Sequence, residues 1–104
     1  MISTLAPEQL AALFEGLVDQ WRAETLHLSS TTQIATHPAY QRIIGLGPVV
    51  IPLILKELAK KPNHWFWALR ALTGEDPVAE EDQGKIEEMT AAWLSWGQEQ
   101  GYLS

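Results

Sequence analysis

A chain of 104 residues, 46% hydrophobic and 19% charged, has the composition of one folded domain rather than of a disordered segment. It contains no cysteine, which excludes disulfides, thiolate nucleophiles and cysteine-ligated zinc together and fits a reducing, cytoplasmic setting. The formal net charge of −6 opposes non-specific attraction to nucleic acid or to an anionic membrane surface.

That charge is unevenly placed. Residues 1–24 carry −3, from Glu8, Glu15, Asp19 and Glu24 against Arg22. Residues 42–70 carry +4, from Arg42, Lys56, Lys60, Lys61 and Arg70 against Glu57. Residues 75–88 carry −6, from Glu75, Asp76, Glu80, Glu81, Asp82, Glu87 and Glu88 against Lys85, and Glu99 adds the last unit. No Lys or Arg precedes the first apolar residues, so no secretory signal is expected. The longest apolar run, Ile43 to Leu55, is too short to cross a bilayer and is interrupted by Gly45, Gly47, Pro48 and Pro52.

In chain order, Pro7 suits the first position of a helix, where its missing N–H is no loss, and Glu8 favours the positive helix end. Leu10, Leu13, Phe14, Leu17, Val18 and Trp21 then recur at spacings of three and four, with Glu8, Glu15, Asp19 and Arg22 on the other side. This predicts an amphipathic helix over 7–25, about five turns long. Leu26 to Thr36 loses the period, and its four consecutive Ser/Thr residues favour caps and turns, so a connector with at most one helical turn is expected. His37-Pro38 starts a second helix over 38–46, with Tyr40, Ile43, Ile44 and Leu46 on its apolar side and His37 as its cap.

A third helix is predicted over 48–61. Val50, Ile51, Ile54, Leu55 and Leu58 form its apolar sector, but Val49 and Leu53 lie opposite, which predicts cover on more than one side. Pro52 falls in the first turns, where a missing N–H costs little, and Pro62 closes the helix. Asn63 suits the cap of a fourth helix over 64–73, on which Trp65, Ala68, Leu69 and Leu72 make one stripe, Trp67 points elsewhere and Gly74 is the stop. The acidic loop GEDPVAEEDQG follows. A fifth helix is expected over 83–99, with Ile86, Met89, Trp93 and Trp96 on one face, Gly97 allowing close packing and Tyr102 folding back. Nothing alternates with period two, so the fold class is all-α, a compact bundle of about five helices.

The stretch LGPVVIPLILKELAKKPNHWFWALRALTG, residues 46–74, resembles one HEAT-type helical repeat. The resemblance lies in Gly47-Pro48, Ile51-Pro52-Leu53, Leu58, Ala68-Leu69 and Ala71-Leu72. Thr73-Gly74, followed by Trp93 and Trp96-Gly97, is similar to the ends of some bacterial HEAT-like proteins, where a Thr-Gly and a Trp-x-x-Trp pair recur. The resemblance implies protein–protein interaction or scaffolding, with no catalytic residues and no cofactor. His64-Trp65-Phe66-Trp67 departs from the small or charged residues usual in that family, and no second full copy follows at the repeat spacing. Since a solenoid needs about three units to bury its faces, one unit implies a compact bundle around a helical hairpin.

Five tryptophans are the unusual feature of the composition. Trp21, Trp65, Trp93 and Trp96 fall on faces expected to be buried. Trp67 leaves two alternatives: it is covered because its helix is central, or it is an exposed partner anchor. An exposed Trp beside an Arg is the chemistry of interface hot spots, so His64, Trp67 and Arg70, with Lys60 and Lys61, form the first candidate binding surface, for a partner protein or a second copy of the chain. The acidic loop residues Glu75, Asp76, Glu80, Glu81 and Asp82 form the second, a docking surface for a basic partner. A stoichiometric, antitoxin-like inhibitor of a basic partner is an alternative use of the acidic surface, and it requires the two acidic stretches to make one continuous face.

Catalytic and metal chemistry find little to build on. His27, His37 and His64 show no metal-ligand spacing, and the acidic loop lacks the alternating oxygen ligands and turn glycine of a calcium loop. There is no phosphate-binding glycine loop and no nucleophile elbow. An enzyme or small-ligand domain would need distant groups such as His37 and Glu75 to converge, or a pocket to form near Trp67 and the histidines.

Overall fold

A computed structural model describes residues 5–62 and 64–103. Among them the regular structure is entirely helical: α1 Pro7–Thr25, α2 Thr31–Ala35, α3 Pro38–Gly45, α4 Ile51–Lys60, α5 Phe66–Thr73 and α6 Ile86–Glu99, with 3-10 turns at Pro48–Val50 and Glu80–Asp82. The all-α bundle therefore holds six helices, the extra one being the single turn α2 inside the Ser/Thr connector. Ser30 caps it by accepting from the Gln33 N–H, and its final carbonyls are claimed from outside, Ile34 O by the Trp21 indole and Ala35 O by the Gln41 amide. The helix is too short to persist alone, so these tertiary bonds hold it.

Two pairings organise the bundle: α1 lies along α3, and α4 along α6. The stripe of α1 buries Phe14, Leu17, Val18 and Trp21 against Ala39, Tyr40 and Ile43 of α3. His37 joins the same two helices. Its Nδ1 accepts from the Ala39 N–H at 3.0 Å, capping α3, which leaves the proton on Nε2 for Glu24 at 2.7 Å. Glu57 of α4 reaches Arg22 of α1 at 3.3 Å and Lys60 on its own helix at 3.3 Å.

The close α4–α6 approach depends on Gly97. A Cβ there would stand 2.7 Å from Leu55 Cδ1 and 3.2 Å from Leu103 Cδ1, inside contact distance of a fully buried leucine. The chain then turns back over this glycine. Gly101 adopts φ 85°, Gly101 N–H donates to Gln98 O and Tyr102 N–H donates to Gly97 O, the paired bonds of a Schellman stop. Tyr102 thereby stacks on Trp96 with ring centroids 5.6 Å apart.

Several element boundaries differ from the expected ones, each for a local reason. A continuous helix over 48–61 is not formed, because Pro52 has no N–H for the Pro48 carbonyl and its ring would press on that residue. A 3-10 turn intervenes and the Ile51 N–H takes the Pro48 carbonyl instead. With three residues per turn, Val49 is thrown outward and is 58% exposed, so the expected cover on both sides of this segment is absent at Val49. The last helix starts at Ile86 rather than 83, since Gly84 at φ 87° cannot sit inside a right-handed helix. Ile86 itself is 51% exposed rather than buried, while Trp93 and Trp96 of the same face are covered. The cap expected at Asn63 lies outside the described residues.

No helix among the described residues is long and apolar enough to cross a membrane.

Candidate functional site

The segment Lys61–Arg70 carries both the centre of the core and the candidate site. Trp65 is 0% exposed and sits in an aromatic cluster, its ring centroid 4.9 Å from Trp21, 5.7 Å from Tyr40 and 6.0 Å from Phe14. Tyr40 also holds the chain on both sides of Trp65. Its hydroxyl donates to His64 O at 2.6 Å and accepts from the Ala68 N–H at 2.9 Å. Ala68 lies in the first turn of α5, where backbone N–H groups lack intrahelical partners, so Tyr40 is a cap supplied from another helix. Burial pushes the Tyr40 phenol far above its ordinary value, and the Ala68 N–H and the nearby Arg70 charge only partly offset this, so the hydroxyl stays protonated and able to donate.

With His64 and Ala68 fixed, the residues between and beyond them are aimed. Trp67 is half-buried, packed against the core on one side and open on the other. It lines a cavity of about 280 Å³ together with His64, Phe66 and Arg70. Ile86 and Met89 at the start of α6 form the facing wall, and Thr31 and Gly84 complete the rim. Ile86 is exposed because the surface it would seal against is this opening. Trp67 and Arg70 also border a further depression with Ala71. Of the two alternatives for Trp67, neither full cover nor full exposure describes it: it is a wall of a concavity.

A second cavity, of about 320 Å³, adjoins the first through His64, which lines both. Trp21, Arg22 and Thr25 of α1 form one side, Leu28 and Ile34 of the connector another, with Lys61 and Leu26 at the edge. Leu26 is 84% exposed, the most exposed of the large apolar side chains among the described residues. The missed signal is Leu26 itself, an apolar residue directly after the stripe of α1 ends, with no partner on its own helix.

Burial lowers the pKa of His64 below its ordinary value, which keeps the imidazole neutral around pH 7 and leaves it a hydrogen-bonding group between the two cavities. His27 and His37 line neither cavity: His27 is exposed, and His37 is engaged with Glu24. The suggested convergence of His37 and Glu75 is not formed, since Glu75 accepts from the Trp96 indole at 3.2 Å. Among the described residues no three His, Asp or Glu side chains gather as a metal ion would require.

The remaining candidate residues fall in different places. Lys61 borders the second cavity, whereas Lys60 turns to Glu57 and lines neither. In the acidic loop, Asp76 is taken up internally, accepting from the Val78 N–H at 3.1 Å and from the Gln83 amide at 3.0 Å. These bonds press Val78 into the core, where it is buried. Glu80 and Glu81 are exposed on the 3-10 turn, with Asp82 half-buried beside them. No residue of Glu75–Asp82 lines either cavity, so the two candidate surfaces are separate.

No protein-family model, curated protein or solved structure matches this chain.

Proposed function

We propose that this chain is a small, non-catalytic protein–protein interaction module of the cytoplasm, HEAT-like in its central helical pair, whose partner docks on the face formed by His64, Trp67 and Arg70. The observation that carries this reading is the state of Trp67. A half-buried indole in the wall of a cavity, held in place by the core beneath it and flanked by an exposed arginine, is what an interface anchor requires. Its rigidity comes from Trp65 and Tyr40, so little ordering entropy is lost when a partner covers it. The exposed Glu80 and Glu81 offer a separate polar surface that a basic partner would favour.

The test is a partner isolated from native extract by crosslinking to the intact chain, then titrated against purified wild type and Trp67→Ala. Loss of a hot-spot tryptophan lowers affinity by about 30-fold or more, the equivalent of roughly 2 kcal/mol. An unchanged affinity, in a variant whose helical spectrum shows it folded at the assay temperature, removes the reading.

A second reading draws on the same cavity. Its apolar walls, one cation and one neutral imidazole also fit a small aromatic molecule bearing an anionic group, although about 280 Å³ stands at the lower end of ligand pockets. A Trp67 fluorescence change on titration with such molecules, saturating at one equivalent, would favour it over a protein partner.

A further inference from the structure

The two cavities share His64 in their linings, and the charges around them are one-sided. The chain has 13 Asp and Glu against 7 Lys and Arg, yet among the described residues no carboxylate lines either cavity. Arg22, Lys61 and Arg70 do, spaced along both with the His64 imidazole between them. An acidic chain thus lines both cavities with cations and no carboxylate, and of these Lys61 and Arg70 are exposed while Arg22 is paired with Glu57. Exposed apolar residues also stand at both cavities. Of the four large hydrophobic side chains that stand exposed among the described residues, Leu26 at 84% rims the second cavity and Ile86 at 51% rims the first, while Leu5 and Val49 lie elsewhere.

We infer that the two cavities form one groove for an acidic peptide segment of another protein, with an apolar or aromatic side chain seated in each cavity and carboxylates on Arg70 and Lys61. This rests on the interaction reading above and names the chemistry of the partner. Charge complementarity decides the sign: Arg22 is already paired with Glu57, but a basic segment would meet Lys61 and Arg70, and like charges across an interface are strongly unfavourable. The apolar content decides that the segment is not merely acidic. Phe66, Trp67, Met89 and Ile86 in one cavity and Leu26 and Leu28 in the other offer apolar surface to be covered. Neutral His64 sits where the backbone of such a segment crosses from one cavity to the next, and can donate to or accept from it. A second copy of this chain is a poorer occupant. Its own acidic loop has Val78 buried and Asp76 committed internally, which leaves carboxylates without an apolar anchor.

The experiment is selection from a display library of random linear dodecapeptides on the full chain, followed by titration of fluorescently labelled winners. Enriched sequences are expected to carry Asp or Glu flanking two apolar or aromatic residues. Their affinity should fall about tenfold in each of Arg70→Ser and Lys61→Ser, both exposed positions whose change leaves the fold intact, and should weaken as salt rises past the screening range of about 0.1 M. Leu26→Ser and Ile86→Ser should each weaken it separately, which a single-cavity site would not show. Winners without an acidic bias, affinity indifferent to both charge substitutions, or no enrichment at all would overturn the inference. The two readings fail differently. Neutral or basic winners that still depend on Trp67 defeat the acidic segment and leave the interaction face standing, whereas acidic winners indifferent to Trp67→Ala defeat both. Self-association that depends on Trp67, in the absence of any enriched peptide, assigns the groove to a second copy and overturns the proposal.

Discussion

Trp65 and Trp67 are two residues apart on one short segment, and they live in opposite environments. Trp65 has no exposure, three aromatic neighbours and a backbone clamped by the Tyr40 hydroxyl. Trp67 has the core on one side and an open cavity on the other, beside an arginine that faces solvent. The difference teaches that the candidate site is built on the core rather than beside it. Each hydrogen bond that fixes His64 and Ala68 to Tyr40 also fixes the direction in which Trp67 and Arg70 project. Rigidity beneath and exposure above are the two properties a binding surface needs together.

Breaking the core half of this pair has the largest effect. Trp65→Ala should destabilise the protein by about 3–5 kcal/mol, because the neighbours of a fully buried indole cannot collapse into the space it leaves. Trp67→Ala, seated half in solvent, should cost less than half as much, and chemical denaturation of the two variants side by side measures the contrast. Next in size is Tyr40→Phe. It keeps the ring in the cluster but leaves the Ala68 N–H and the His64 carbonyl without their shared partner, and should cost about 1–3 kcal/mol. Its particular signature is coupling between the regions: Trp67 fluorescence and the exchange rate of the Ala68 amide should change although neither residue was touched.

The smallest expected effect belongs to His64. Its folded pKa lies below the ordinary 6.5, so the unfolded chain binds a proton more readily than the folded one. The stability it contributes is present above pH 6.5 and declines as pH falls through the folded value, and since the residue is only partly buried the change is slight. An NMR titration of the imidazole checks this, and a midpoint at or above the ordinary value would mean that burial does not govern the site.

Much of the fold is legible in the residues themselves. The three-and-four spacing from Leu10 to Trp21 is enough to specify α1, because an amphipathic period over that length has only one way to bury its stripe. The same holds for Trp93 and Trp96 on α6, and for Gly97, where a glycine beside a tryptophan signals a close approach that Leu55 then makes. The prolines around α4 are less transparent. Pro48 and Pro52 each suit a helix start taken singly, but four residues apart they exclude an α-helical turn between them, and Val49 is turned outward as a result.

The candidate site divides along the same line. That Trp67 leaves the stripe of its helix follows from local period alone, and His64 and Arg70 follow with it because they share its segment. The acidic loop shows the limit of composition: its run of carboxylates reads as one surface, yet Glu75 and Asp76 answer to Trp96, Val78 and Gln83, partners that no spacing reveals.

Local residue patterns set the long helices α1 and α6, most of the buried faces and the odd position of Trp67, because each of these depends on neighbours within a few residues. Only the tertiary structure decided that Trp67 is a cavity wall. It alone brought Arg22 and Leu26 at the end of α1 to Lys61 and His64 before α5, around one cavity. A concave surface is the space left where separate helices fail to meet, and that space depends on the angles and offsets of whole elements. No local pattern of residues records it.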